Sequence, residues 1–154
     1  MSQKTILVVE DEYGTAEVLQ LMLEVEGYRV MLAGNGHEAM QRIAQHLPDL
    51  VLTDFMMPGM SGAQLGVALR TSPATAAVPI VMMSAAEEEE VRRAFTGYDA
   101  FLHKPYRIDE LLEVLRSALA RGAQARRQGR GDGPVMRSIA EALAGLLGRP
   151  RAPG

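Results

Sequence analysis

Ile6-Leu7-Val8-Val9-Glu10-Asp11-Glu12 is an apolar run that stops abruptly in three acids. Four consecutive apolar side chains suit a strand buried on both faces, and such strands belong to parallel sheets covered by helices. From Thr15 to Val25, apolar Val18, Leu19, Met22, Leu23 and Val25 recur at helical spacing, and Gly27 closes that helix. Tyr28–Ala33 then reads as a second strand and residues 36–46 as a second helix, with Ala39, Met40, Ile43 and Leu47 on one face.

The alternation continues. Leu50–Thr53 is a third strand that runs into Asp54, and the turn residues Pro58-Gly59 and Ser61-Gly62 lead into a helix ending near Arg70. Val78–Met83 is the fourth strand, and Glu87–Phe95 the fourth helix, with acids at its N-terminus where the helix dipole favours them. Ala100–Leu102 is a short fifth strand. Ile108–Arg121 is the last helix, with Leu111, Leu112, Val114, Leu115, Ala118 and Leu119 apolar and Gly122 as its stop. Strand–helix alternation of this kind predicts an α/β fold, a doubly wound five-stranded parallel sheet with helices on both faces. Right-handed crossovers favour the flavodoxin-like order 2-1-3-4-5, plus a helical C-terminal tail.

Composition agrees with one domain and some surplus. The chain has 154 residues, 47% hydrophobic and 23% charged, and no cysteine. Disulfides and thiolate metal sites are thereby excluded, and a cytoplasmic setting is expected. The apolar run at the N-terminus is too short for a signal peptide or a membrane span. Charge is uneven: residues 1–120 carry a net −8 and residues 121–154 a net +5. An acidic body makes DNA binding by the folded domain unlikely as its main business.

In such sheets ligands bind beyond the carboxyl ends of the strands, where strand order switches between β1 and β3. Glu10, Asp11 and Glu12 end strand 1, and Asp54 ends strand 3. Converging carboxylates are costly unless a cation neutralises them. A donor set of oxygens alone calls for a hard cation, and magnesium suits a shallow site with few carboxylates. Glu12 reads instead as a first-turn acid of the next helix. Ser84 ends strand 4 and Lys104-Pro105 follows strand 5, so a hydroxyl and an ammonium reach the same edge and could cradle a phosphate. His37 and His103 have no partner in sequence and read as surface residues.

The set VVEDE (8–12), TDFMMPGMSG (53–62), PIVMMSA (79–85) and DAFLHKPY (99–106) resembles the receiver domain of two-component response regulators, from about Lys4 to Arg121. The resemblance implies that Asp54 accepts a phosphoryl group from a sensor histidine kinase or a phosphotransfer protein. It implies Mg2+ bound by Asp11, Asp54 and the backbone carbonyl of Met56, with Glu10 acting through metal-bound water. Ser84 matches the hydroxyl that turns to the phosphoryl group, Lys104 the ion-pairing lysine, and Phe101 the aromatic that switches with Ser84. Lys104-Pro105 matches a cis peptide bond. The implied function is a phosphorylation-dependent switch rather than a conventional enzyme, assisting only its own phosphotransfer and a slow autodephosphorylation. Its output would be an unknown downstream protein partner or a homodimer.

Two departures stand out. The stretch from Ser84 to Gly97 is slightly short for the family, which trims the fourth helix on the output face. Met56 and Ala86 flank the phosphoryl position with apolar side chains that cannot orient an attacking water. Alternatives are a phosphorelay intermediate or phosphate sink, and tail-mediated nucleic-acid binding through the four arginines between 121 and 130. An aspartyl phosphotransferase of the haloacid dehalogenase type would want a second Asp at position 56, where Met56 stands.

The organisation expected is a receiver domain over 1–121, a flexible Gly/Arg/Gln-rich linker over 122–134, a short amphipathic helix over 135–148 and a disordered end over 149–154. In that helix Val135, Met136, Ile139, Ala142, Leu143, Leu146 and Leu147 share a face. It could fold back on its own domain, dock on a partner, or anchor to a surface.

Overall fold

The structure, a computed structural model, describes residues 3–129. Its order is β1 (Thr5–Val9), α1 (Tyr13–Val25), β2 (Arg29–Ala33), α2 (Gly36–Gln45), β3 (Leu50–Asp54), α3 (Gly62–Thr71), β4 (Ile80–Ser84), α4 (Glu88–Ala94), β5 (Ala100–His103) and α5 (Ile108–Gly129). The five strands form one parallel sheet in the order β2-β1-β3-β4-β5, as the alternation predicts.

β1, β3 and β4 are buried throughout, because both faces are covered. Alternate side chains feed two cores. Leu7, Val9, Val51, Ile80 and Met82 point to one face, where α2, α3 and α4 contribute Ile43, Leu65, Leu69, Val91 and Phe95. Ile6, Val8, Leu50, Leu52, Val81 and Met83 point to the other, against Leu19 and Leu23 of α1 and Leu111, Leu115 and Ala118 of α5. Each fully buried Leu or Ile contributes about 1.5–3 kcal/mol.

Local chemistry sets the helix starts. Asn35 caps α2 by accepting from the Glu38 N–H at 2.8 Å, and Ser61 with Gln64 forms a capping box on α3. α1 ends at Val25 with Glu26 as its C-cap, and Gly27 follows at a φ of 97°, the left-handed conformation that glycine adopts cheaply.

Three expectations are corrected. Val18 and Val25, counted in the apolar helical pattern of α1, are 53% and 83% exposed and do not join its buried face, which is Ala16, Leu19 and Leu23. Leu47 lies beyond the end of α2 and is exposed. α5 does not stop at Gly122 but continues to Gly129, so residues 122–129 are helix where a flexible linker is expected. The flanking Ala, Arg and Gln are good helix formers, and one interior glycine costs only about 1 kcal/mol. The amphipathic helix expected over 135–148 and the disordered end over 149–154 lie outside the described residues.

Candidate functional site

The sheet order brings the ends of β1 and β3 side by side, with Val9 opposite Thr53 in register. Glu10 follows directly, anchored by its N–H donating to the Ala33 carbonyl at 3.0 Å, and its carboxylate turns inward until it is buried. Its Oε1 accepts the Glu12 N–H at 3.2 Å. Asp54, the last residue of β3, is only 4% exposed. The backbone behind it folds tightly: the Gly62 N–H donates to the Phe55 carbonyl at 2.9 Å, and any Cβ at Gly62 would overlap the Asp54 carbonyl. Gly62 is therefore required by close backbone approach.

One carboxylate oxygen each from Glu10, Asp11 and Asp54 lies within 4.8 Å of the others. Asp11 is exposed, so the group opens to solvent on one side. Glu12 stands outside the cluster, but it is the N-cap residue of α1, without a side-chain hydrogen bond, and not the first-turn acid expected.

β5 supplies the cation. The Lys104 N–H donates to the Ser84 carbonyl at 2.8 Å, which extends the β4–β5 ladder by one residue and sends the lysine across the strand ends. Its Nζ lies 2.5 Å from Asp54 Oδ1 and 3.6 Å from Glu10 Oε2. The Lys104–Pro105 peptide is cis. Ser84 is buried, and its Oγ accepts the Ala86 N–H at 3.0 Å. Phe101 is half-buried against the α2–α4 face, with its ring 6.1 Å from Tyr98 and 6.4 Å from His103. Met56 stands two residues past Asp54 with its side chain 72% exposed.

The charges do not balance. Two buried carboxylates share one ammonium, which is the sole ion-pair partner of Glu10 Oε2 and Asp54 Oδ1 among the described residues. Burial and the adjoining Glu10 carboxylate push Asp54 up to about 8, against the pull of Lys104. Burial works to lower Lys104, but Asp54 and Glu10 outweigh it and raise its pKa. With three carboxylates against one ammonium and oxygen donors alone, the cluster fits a hard divalent cation such as Mg2+.

Tyr106 was not foreseen from sequence. Its hydroxyl is raised by burial and feels the charges of Lys104, Asp54 and Glu10, so it borders the site. Its position just after Lys104-Pro105 was the available signal. No helix among the described residues is long and apolar enough to cross a membrane.

Comparison with known proteins agrees with this geometry. The family model of the response regulator receiver domain matches residues 6–116. The phosphate regulon transcriptional regulatory protein PhoB of Rhizobium meliloti is 41% identical over 118 residues, covering 75% of this chain and 52% of that protein. The chain thus spans about half the length of the curated relatives it matches. A putative response regulator from Chloroflexus aurantiacus superposes with a TM-score of 0.72 at 33% identity, covering 77% of this chain and 99% of that one. The receiver domain of sensor histidine kinase PA1611 from Pseudomonas aeruginosa, solved with magnesium coordinated in its active-site cleft, gives a TM-score of 0.70 at 28% identity over 77% and 99% of the two chains. A relative named as a transcriptional regulator fits poorly with the expectation that DNA binding is unlikely. The acidic charge argues only about the described domain itself. Parallel sheet, strand-end acids, Lys104 and a family match over most of the chain agree, and the chain belongs to the response regulator receiver domain family of two-component signalling.

Proposed function

We propose that Asp54 is the phosphoacceptor of a cytoplasmic two-component switch. The observation that supports this most is a buried Asp54 paired with Lys104 at 2.5 Å beside Glu10 and Asp11. An Asp54 carboxylate oxygen attacks the phosphorus of a phosphohistidine on a sensor kinase or phosphotransfer protein. The P–N bond breaks, its electron pair stays on the imidazole nitrogen, and an acyl phosphate forms on Asp54. Mg2+ held by Asp11, Asp54 and the Met56 backbone carbonyl, with Glu10 acting through water, would supply the neutralising charge that phosphoryl transfer needs.

Lys104 exchanges its Asp54 partner for a phosphoryl oxygen. Ser84 Oγ releases the Ala86 N–H, now at 3.0 Å, and turns to another phosphoryl oxygen. Phe101 turns into the space so opened. This shifts a two-state equilibrium in the face built from α4, β5 and α5, and so changes which partner that face holds. The domain catalyses nothing beyond its own phosphotransfer and slow autodephosphorylation.

Incubation with acetyl phosphate and Mg2+ should add one phosphoryl mass to the protein and none to Asp54→Ala. Labelling that survives in Asp54→Ala would sink the assignment. Control of transcription is the output favoured by the likeness to PhoB, whereas a phosphorelay intermediate needs no output at all. Beryllofluoride with Mg2+ separates the two, since only the switch changes its size or partner when Asp54 is so loaded.

A further inference from the structure

Thr53 sets a hydroxyl into an apolar layer. It is fully buried, and its neighbours on the same face of the sheet are Val51 along the strand, Val9 across on β1 and Met82 across on β4. Valine has the shape of threonine and would fill this space with no polar group to satisfy. What the hydroxyl adds is a hydrogen bond: Thr53 Oγ1 donates to the Asp54 carbonyl at 3.0 Å.

That carbonyl lies where the ladder runs out. The Phe55 N–H donates to the Met83 carbonyl of β4 at 2.8 Å, so across the trans peptide the Asp54 carbonyl points away from β4, toward β1. β1 pairs with β3 no further than Val9–Thr53, and Glu10 gives its N–H to Ala33 of β2 instead. Gly62 keeps room for the carbonyl, since any Cβ there would overlap it. A buried carbonyl past the end of its ladder needs a donor, and Thr53 supplies one.

The peptide unit that follows Asp54 is thus held at both ends, its carbonyl by Thr53 Oγ1 and its N–H by Met83. The next carbonyl, that of Phe55, accepts the Gly62 N–H at 2.9 Å. Hydrogen bonds in succession therefore set the backbone from Asp54 to Met56. We propose that Thr53 is a positioning residue of this site: by fixing the Asp54–Phe55 peptide, its hydroxyl aligns the Asp54 carboxylate with the Met56 carbonyl for one metal ion. The inference rests on the reading of Asp54 and Met56 as Mg2+ ligands. Such a bond adds little net stability, because the unfolded hydroxyl and carbonyl are both hydrated. Magnesium, by contrast, demands near-ideal octahedral geometry, so a small turn of this peptide is felt in affinity.

Thr53→Val removes the hydroxyl and keeps the shape, whereas Thr53→Ser keeps the hydroxyl and drops the methyl. Isothermal titration calorimetry should find Mg2+ bound about tenfold more weakly by Thr53→Val and within about twofold of the parent by Thr53→Ser. A merely structural role predicts the reverse order, because Thr53→Ser leaves a void in the core. Affinity unchanged in Thr53→Val, or weakened as much in Thr53→Ser, would overturn the proposal. A second measurement needs no metal. The Phe55 and Gly62 amides should exchange about tenfold faster in Thr53→Val, relative to those of Leu7 and Val8, and equal exchange would count against the proposal. Mg2+ binding lost in Asp54→Ala with none of these Thr53 effects would overturn this proposal and leave the ligand reading standing. Mg2+ binding that survives Asp54→Ala would overturn both.

Discussion

The Arg70 guanidinium donates to Asp99 Oδ2 at 2.7 Å, and the same oxygen accepts the Ile80 N–H at 2.7 Å. The other guanidinium nitrogens donate to the carbonyls of Gly97 at 2.9 Å, Ala76 at 3.1 Å and Val78 at 2.6 Å. One side chain at the end of α3 thus ties down both loops that flank β4. Arg70→Met should cost about 2–4 kcal/mol, because it strands several carbonyls and leaves Asp99 without its cation. Arg70→Lys should recover less than half, since an ammonium cannot fork to the same partners. Urea denaturation measures both.

Stability should depend on pH through Asp54. Its folded pKa of about 8 lies above the ordinary 3.8, so the metal-free native state holds a proton that the unfolded chain has lost. The stabilising contribution is whole below pH ~4 and is lost as pH rises through about 8. Asp54→Asn should therefore be more stable than the parent at pH 8.5 by on the order of 1–3 kcal/mol, and nearly equal to it at pH 4. Saturating Mg2+ should close the gap by favouring the ionised carboxylate.

Gly66 on α3 exists to admit Phe95. A Cβ there would stand 2.5 Å from the ring, so Gly66→Ala should cost about 1–3 kcal/mol. Adding Phe95→Leu should return part of that loss, and a double-mutant cycle gives the coupling.

Tyr98 latches α4 to β5. Its hydroxyl donates to Glu88 Oε2 at 2.6 Å while its ring lies between Phe95 and Phe101. Tyr98→Phe should lower stability by about 0.5–1.5 kcal/mol and raise hydrogen exchange across residues 88–94.

Phospho-Asp54 should persist far longer than seconds, because Met56 and Ala86 offer an attacking water no hydrogen bond. Met56→Asn should shorten that lifetime by about tenfold, the effect of one added hydrogen bond of about 1.4 kcal/mol in the transition state. Intact-protein mass spectrometry after removal of acetyl phosphate follows the decay.

Sheet order was readable because buried parallel strands are continuous apolar runs, as in Ile6–Val9, and their ends then located Glu10, Asp11, Asp54, Ser84 and Lys104 along one edge. The outer face of α1 was not readable. Val18 and Val25 look like core in a helical pattern, and only the tertiary arrangement shows which apolar stripe the sheet takes. The α5 end was misread because glycine stops helices only when its surroundings allow, and Ala, Arg and Gln carry the helix through Gly122. Arg70 carries no local signature, and Tyr106 only its place after Lys104-Pro105. Their partners are set by loop paths that pattern alone does not fix.

Glu10, Asp54 and Lys104 meet only where β1, β3 and β5 have all taken their places, and β1 and β5 lie on opposite sides of β3. During synthesis, a chain whose fifth strand is still inside the ribosome has an aspartate but no finished acceptor. On the function proposed for Asp54, competence to take a phosphoryl group would be acquired last, together with the closing of the sheet, and a kinase acting on this carboxylate would also read whether the protein has folded.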